Sequence, residues 1–164
     1  MKKKLETQRL YLREFTLDDA ALILELNSDP EVIRYTGDPH PCNTIEDAKR
    51  ILADIILPQY KNNIGRWAVH LKSTNEFIGW CGLKDVVGEI DLGYRYHKKY
   101  WGKGYATEAA KAVLDYGISL KIQNIIGRAS ILNSASVHVL QKIGLTFKEQ
   151  YLEDGDESVK YILI

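Results

Sequence analysis

The sequence predicts an α/β fold in a single domain that spans residues 1–164. Residues 66–71 show the two-residue period of a strand, residues 77–83 form the next strand, and the polar turn between them makes the pair a hairpin. The order strand, helix, strand follows, over residues 89–96, 105–121 and 125–132. Such a crossover unit joins parallel strands and is right-handed in about 98% of cases. A hairpin and a crossover in a chain of this length indicate the α/β class.

The first part of the chain predicts a strand followed by a helix. Residues 8–14 alternate, with leucines on one side and arginines and a tyrosine on the other, as in a half-buried strand. Thr16 or Asp18 is placed to cap a helix over residues 21–26. That helix should end before Pro30, because the residue before a proline avoids the α region.

A loop and a second helix come next. Residues 32–41 contain one glycine and two prolines, a composition that predicts a loop with room for one helical turn. Thr44 and Asp47 have the spacing of a capping box. Apolar residues at helical spacing follow, and Pro58 should perturb the end of that helix.

The last part predicts a short helix and a second hairpin. Asn133 or Ser134 is placed to cap the helix, and Gly144 to end it. Residues 145–152 and 158–164 then form strands around an acidic turn. The expected sheet therefore has about seven strands.

Composition excludes several classes of function. The 22 Lys and Arg residues balance 22 Asp and Glu residues, so the chain lacks the basic excess of a general nucleic-acid binder. No apolar run approaches the roughly 20 residues that cross a bilayer, and the start has no signal-peptide core. We therefore expect a cytoplasmic protein with no nucleic-acid or membrane partner. Cys42 and Cys81 are too few for a disulfide framework, and the four histidines form no pair at ligand spacing, so no metal site is expected.

A basic loop with two glycines stands between the strand and the helix of the crossover unit, at residues 100–108. A helix start exposes backbone N–H groups that lack intrahelical partners, and these donors favour a phosphate. Gly102 and Gly104 let the backbone approach such an anion, and Thr107 offers a hydroxyl. No Lys-Ser or Lys-Thr follows Gly104, and Thr107 replaces the third Rossmann glycine, so neither nucleotide motif is matched. A tight turn with solvated lysines and a site for another pyrophosphate are the alternatives.

This loop resembles the acyl-CoA pyrophosphate loop of the GNAT family of N-acetyltransferases. Gly104 and Ala106 match the family motif, and Trp101 stands where the family has Gln or Arg. The whole loop is similar to the branch that includes the Rim-type ribosomal-protein N-terminal acetyltransferases. Residues 5–13 resemble the first strand of that branch. Residues 133–145 resemble its late Asn-x-x-Ser and Lys-x-Gly-Phe signature, with Leu for Phe.

The resemblance covers nearly the whole chain and implies a mixed central sheet with helices on both faces, splayed where the cofactor enters. It implies acetyl-CoA as cosubstrate and a primary amine as acceptor, either a protein N-terminal α-amine or a small-molecule amine. The residues that it places at the cofactor are Leu92, Gly93, Tyr94, Trp101, Gly102, Lys103, Gly104, Tyr105, Ala106, Thr107, Asn133, Ser136 and Lys142.

Acetyl transfer needs a base for the amine, donors for the developing oxyanion and an acid for the leaving thiolate. By resemblance, Leu92, Gly93 and Tyr94 of the strand before the glycine loop offer backbone groups to pantetheine and polarise the acetyl carbonyl, and Gly93 suits a bulge or a close approach there. Asp91 and Glu89 lie on one face of this strand and are the candidates for the base. The alternative for Gly93 is a glycine that only relieves crowding. The alternative for Asp91 and Glu89 is a pair of solvated carboxylates.

The candidate for the acid departs from the most common family pattern. Leu140 stands where many family members have Tyr, and it cannot donate a proton. The Rim-type branch instead has a Ser three residues after the motif Asn, which here is Ser136 after Asn133. The alternative for Ser136 is a helix-start serine that bonds the backbone.

The acceptor pocket and the partners are less defined. Tyr35, Trp67, Trp80 and Tyr94 are candidates to line the pocket, against the alternative of core aromatics. The apolar C-terminal strand predicts either pairing with a second subunit in a homodimer or an inner strand. The rival function is a non-catalytic acyl-CoA-binding or regulatory module on the same fold, which would fit if Ser136 supplies no proton.

Overall fold

The computed structural model describes residues 3–36 and 41–164, which form one mixed sheet of eight strands packed between helices. The strands are β1 Lys3–Glu6, β2 Leu10–Arg13, β3 Arg66–Leu71, β4 Phe77–Val86, β5 Glu89–Tyr96, β6 Ile125–Ser130, β7 Thr146–Glu153 and β8 Asp156–Ile162. The α-helices are α1 Ala20–Asn27, α2 Ile45–Ile51, α3 Tyr105–Ser119 and α4 Ser134–Lys142. The strand order is β1-β2-β3-β4-β5-β6-β8-β7, and only β5 and β6 pair in parallel. The expected α/β class and mixed sheet are confirmed.

The sheet has one strand more than the sequence indicated. β1 pairs antiparallel with β2, with Leu5 opposite Leu12. Two lysines and a glutamate among its four residues hide it from a search for apolar alternation. The prediction of a half-buried β2 is also wrong, because all four of its residues are buried. Arg13 can be buried there because Asp19 accepts two hydrogen bonds from its guanidinium, at 2.8 and 2.9 Å.

The helix starts in the first half follow the predicted caps with one change. A 3₁₀ turn, Leu17–Asp19, precedes α1, and the Asp19 carboxylate accepts a hydrogen bond from the Thr16 N–H at 2.8 Å. Of the two predicted cap residues, Thr16 caps this 3₁₀ turn and Asp18 lies within it, whereas the N-cap of α1 itself is Asp19. α1 ends before Pro30, as predicted. Residues 37–40 of the predicted loop lie outside the described residues.

The predicted capping box of α2 is present. The Thr44 hydroxyl accepts a hydrogen bond from the Asp47 N–H at 3.1 Å, and the Asp47 carboxylate accepts one from the Thr44 N–H at 3.1 Å. The helix continues through a π-helical turn, Leu52–Ile56, into a 3₁₀ turn, Leu57–Asn62, that contains Pro58. Pro58 thus changes the helix type, as its missing N–H would require.

The two faces of the sheet carry different helices and different cores. Alternate side chains of a strand point to opposite faces, so β5 contributes to both. Leu92 and Tyr96 pack with α3 and α4 in one core, whereas Trp80 and Ala68 of the neighbouring strands pack with α1 and α2 in the other. The surface that carries α3 and α4 is called the α3 face below, and the opposite one the α1 face.

The sheet opens between β5 and β6. Among the described residues, these two strands pair only at Ile90–Ile125 and Asp91–Ile126. The rest of β5 pairs with β4 along one edge only. β8 lies between β6 and β7, so the C-terminal strand is an inner strand and cannot pair with a second subunit. No helix of the described residues is long and apolar enough to span a membrane.

Candidate active site

A cavity of about 810 Å³ occupies the gap between β5 and β6. Its walls are residues 91–96 of β5, residues 128–130 of β6, the start of α3, one side of α4 and the segment after α1 that begins at Glu31. Thirteen of the fifteen cofactor and catalytic residues predicted from the sequence line it. The residues concerned are Asp91, Leu92, Gly93, Tyr94, Trp101, Gly102, Gly104, Tyr105, Ala106, Thr107, Asn133, Ser136 and Lys142.

The glycine loop forms the wall of this cavity at the start of α3. Gly102 and Gly104 adopt φ values of 73° and 82°, in the left-handed region that favours glycine. The first bond of the helix runs from the Glu108 N–H to the Gly104 carbonyl, at 3.0 Å. The N–H groups of residues 105–107 therefore have no partner within the helix and lie at the cavity wall. This geometry suits an anion, and above all a phosphate.

Arg9 holds the loop from outside the cavity. Its Nη1 donates to the Lys103 carbonyl at 2.9 Å, its Nε donates to the Glu108 carboxylate at 2.7 Å, and its guanidinium stacks 4.4 Å from the Tyr105 ring centroid. Thr7 donates to the same carboxylate at 2.6 Å. The sequence analysis assigned no role to Arg9, because its partners lie about a hundred positions away in the chain.

Two hydroxyl groups meet on the α3 face of the cavity. The phenol oxygen of Tyr94 lies 2.8 Å from the Ser136 hydroxyl and 3.1 Å from the Ser136 carbonyl oxygen. Burial raises the pKa of the Tyr94 phenol, so it keeps its proton at neutral pH. The Asn133 side chain accepts from the Ser136 N–H at 3.2 Å and so caps α4, as predicted. Tyr94 was predicted to act through its backbone and to line the acceptor pocket, whereas the contact of its phenol with Ser136 was not predicted.

Asp91 is buried at the point where β5 and β6 part. Only 9% of its surface is exposed, and its carboxylate lies 3.6 Å from Arg66 Nη2 and 3.3 Å from Arg128 Nε. Burial raises the pKa of Asp91 above its ordinary value, against the two guanidinium groups, which act to lower it. A raised pKa suits a carboxylate that must accept a proton near neutral pH.

Glu89 is held away from the cavity. Both of its carboxylate oxygens accept hydrogen bonds from Lys160 Nζ, at 2.9 Å, and it does not line the cavity wall. Lys103 is also outside the lining, and it meets Arg9 through its backbone carbonyl. The structure therefore brings Asp91, but neither Glu89 nor Lys103, to the cavity.

Gly93 allows a close approach of side chains on the α1 face. A Cβ at this position would lie 3.3 Å from Arg66 Nη2 and 3.5 Å from the Trp80 ring. The pairing of β4 with β5 continues through Gly93 opposite Gly82, so no bulge occurs on that side. The contacts with Arg66 and Trp80 fit the alternative of a glycine that relieves crowding, and a close approach of the cofactor to Gly93 stays a prediction.

The remaining predicted residues divide between the cavity and the core. Tyr35 and Trp80 line the cavity, whereas Trp67 is fully buried against Tyr116 in the α3-face core. Leu140 lines the cavity without a polar group to offer. Burial raises the pKa of the Cys81 thiol to about 12, and Cys81 does not line the cavity. No group of three metal-ligating side chains is found within residues 3–36 and 41–164.

Comparison with known proteins places this fold and site in a family. Residues 9–146 match the family model described as the acetyltransferase (GNAT) domain. The chain belongs to the GNAT family. It is an acetyl-CoA-dependent N-acetyltransferase, as the sequence resemblance implied.

Relatives of this GNAT protein agree over almost their full length. It is 31% identical over 158 residues to the uncharacterized N-acetyltransferase p20 of Bacillus licheniformis, covering 94% of this chain and 88% of p20. A GNAT acetyltransferase structure from Bacillus anthracis is 27% identical, with a TM-score of 0.78 over 100% of this chain and 98% of that one. RimL, a ribosomal L7/L12 α-N-protein acetyltransferase in complex with coenzyme A, shares the fold at 15% identity, with a TM-score of 0.86 over 99% and 98% of the chains.

The residues of this GNAT protein fit coenzyme A on two structural grounds. The start of α3 presents N–H donors and two left-handed glycines at the cavity wall, which suits the pyrophosphate. The edge of β5 beyond Asp91 faces the cavity instead of β6, so its backbone groups can pair with the amides of pantetheine. Lys142 lines the same wall and can balance phosphate charge.

Proposed function

We propose that this GNAT protein transfers an acetyl group from acetyl-CoA to a primary amine by direct attack in a ternary complex. The observation that carries the proposal is the position of Asp91 and the Tyr94–Ser136 pair on opposite faces of one gap in the sheet. A proton acceptor on one face and a proton donor on the other suit an amine that arrives opposite a leaving thiolate. The acceptor is a protein N-terminal amine, as the name of RimL indicates for that relative, or a small-molecule amine.

Asp91 is the proposed base. As the amine nitrogen forms its bond to the carbonyl carbon, the nitrogen must lose a proton, and the Asp91 carboxylate accepts it directly or through water. The backbone N–H groups of β5 that face the gap stabilise the negative charge on the carbonyl oxygen. Arg66 and Arg128 fix the orientation of the Asp91 carboxylate, at 3.6 and 3.3 Å.

Tyr94 and Ser136 together form the proposed acid. When the carbon–sulfur bond breaks, the sulfur takes a proton from the Ser136 hydroxyl, and the Tyr94 phenol replaces that proton across the 2.8 Å contact. This arrangement gives the chain a proton donor although Leu140 occupies the place of the common family Tyr. The binding-only alternative depended on the lack of a donor, and this contact weakens it.

Initial-rate kinetics with acetyl-CoA test the proposal. Release of free thiol is measured while acetyl-CoA and an accepted amine are both varied. Direct transfer predicts intersecting double-reciprocal lines and acetyl-CoA binding without an amine. Parallel lines with a trapped acetyl-enzyme would refute direct attack. Binding of acetyl-CoA without turnover on any amine would refute the transferase mechanism in favour of the binding module.

Association into a homodimer stays a prediction, but the C-terminal strand β8, considered first, cannot be the surface that pairs. β8 has both edges paired, so the open edge at that end of the sheet is β7, whose side chains are mostly exposed. Light scattering at several protein concentrations decides whether two copies associate.

A further inference from the structure

The acceptor side of the cavity carries an excess of positive charge. Among the described cavity-lining residues of β3 to β6, the charged side chains are three arginines, Arg66, Arg95 and Arg128, and one carboxylate, Asp91. Asp91 interacts with Arg66 and with Arg128. One carboxylate cannot balance three guanidinium groups, so these four side chains together carry a net positive charge.

Strand register places this charge on the α1 face, opposite the proposed path of the coenzyme. Trp80 pairs with Arg95, Gly82 pairs with both Gly93 and Arg66, and cross-strand partners point to the same face. The Tyr94–Ser136 pair and the α3 glycine loop serve the other face. The positive charge therefore belongs to the half of the gap from which an acceptor would enter, and not to the phosphate site.

Trp80 fixes two of these arginines as a pair. The Arg66 guanidinium lies 4.2 Å and the Arg95 guanidinium 5.5 Å from the Trp80 ring. Arg66 also lies directly over Gly93, where any side chain would crowd it. Arg95 donates to the Asn27 side chain at the end of α1. Two planar donors held at one aromatic ring match the geometry of a carboxylate or a phosphate.

We propose that the acceptor is a small primary amine that carries a carboxylate or a phosphate. In this proposal Arg66 and Arg95 bind its anionic group, and Asp91 lies beside its amine. This inference rests on the proposed transfer to an amine and adds the class of acceptor. An uncharged amine would bring no anionic group to the two arginines, and a polycation would meet like charge.

Matched amine pairs test the proposal. Each pair differs in its anionic group: β-alanine with β-alaninamide, and phosphoethanolamine with ethanolamine, with spermidine as a polycation. Thiol release gives kcat/KM for each amine, and calorimetry gives its binding to the coenzyme A-loaded protein. The anionic member should be preferred by about tenfold or more, as expected for a charge-assisted bidentate contact. The anionic members have the less acidic ammonium groups and hence less neutral amine, so such a preference would come from the protein.

Substitutions then assign the preference to the arginines. Arg95→Gln should reduce the preference for the anionic member towards one, and Arg95→Lys should keep part of it. Arg66→Lys provides a second variant that keeps the charge but loses the planar fork. Arg50→Gln is the control, because Arg50 is exposed on α2, pairs with Asp47 and does not line the cavity. Acetyl-CoA affinity and thermal unfolding verify that each variant is folded.

The outcomes separate the acceptor class from the transfer reaction. Thiol release that is as fast with the uncharged or polycationic amines as with the anionic ones would overturn the proposed class and leave the transferase intact. Binding of the anionic amines without thiol release from any amine would refute the transfer reaction and support the anion-binding site at Arg66 and Arg95. Neither binding nor release would refute both.

Discussion

Removal of the two hydroxyl groups that meet at Tyr94 and Ser136 would decide whether they act as one acid. Tyr94→Phe and Ser136→Ala each delete one partner of a 2.8 Å contact without changing the strand or the helix that carries it. General acid catalysis contributes about 10²- to 10⁴-fold to rate, so each single variant should lose at least about 10²-fold in kcat. That loss corresponds to about 2.7 kcal/mol of transition-state stabilisation.

The double variant, which combines Tyr94→Phe with Ser136→Ala, tests most directly whether the two hydroxyl groups act as one acid. If Ser136 passes to the sulfur a proton that Tyr94 replaces, then loss of either hydroxyl interrupts the same transfer. The double variant should then lose little more than the worse single variant, instead of the roughly 10⁴-fold product of two independent losses. Additive losses would refute the idea of one unit. Unchanged kcat in Ser136→Ala would return that hydroxyl to a structural role at the start of α4.

Matched variants outside the cavity separate catalysis from stability. The Tyr116 hydroxyl donates to the Asn63 carbonyl at 2.6 Å, and the Ser119 hydroxyl donates to the Tyr116 carbonyl at 2.6 Å. Tyr116→Phe and Ser119→Ala should each cost about 1 kcal/mol of unfolding free energy without a loss of kcat. Tyr94→Phe should cost a similar free energy of unfolding, but it should also lower kcat. The assays are thiol release at saturating substrates, urea unfolding and calorimetric titration with acetyl-CoA.

Four further predictions concern the glycine loop, its contact with Arg9 and the proposed base Asp91. Gly104→Asp should weaken acetyl-CoA binding more than Gly104→Asn, because both strain the φ of 82° but only Asp adds negative charge at the phosphate site; equal dissociation constants would contradict the loop assignment. Arg9→Gln should raise the KM for acetyl-CoA several-fold with kcat nearly unchanged, since Arg9 holds the loop without lining the cavity; a fall in kcat alone would exclude this role. Asp91→Asn should lower kcat by about 10²-fold and remove the acid limb of its pH profile. Arg128→Gln should move that limb to higher pH, because the Arg128 guanidinium lowers the pKa of Asp91; a shift to lower pH would count against Asp91 as the base.

The order of elements and the glycine loop could be predicted from the sequence because their signals are local. The capping box at Thr44, the break before Pro30 and the left-handed Gly104 each depend on a few neighbouring residues. The charged strand β1 gave no such signal. The brace by Arg9 could not be predicted either, because it forms only when the end of the β1–β2 hairpin lies beside α3.

The surroundings of Asp91 depend on the order of strands in the sheet. Arg66 and Arg128 reach it from β3 and β6, on either side of β5, and no spacing in the sequence relates the three residues. The contact between Tyr94 and Ser136 likewise requires α4 to pack beside β5. The sequence could name Asp91 and Ser136 one by one, but only the fold shows which charges and which hydroxyl act on them.

The alternation of side chains along β5 explains how one strand can serve both reactants. Asp91, Gly93 and Arg95 point to the α1 face, where the acceptor is proposed to enter, while Leu92, Tyr94 and Tyr96 point to the α3 face. The backbone between them borders the gap that β6 leaves open. The proposed base and the proposed acid therefore lie on opposite sides of the proposed reaction site without any loop rearrangement. Because the side-chain period is two, a one-residue shift of β5 would exchange the two sets, so the register with β4 fixes the chemistry as well as the fold.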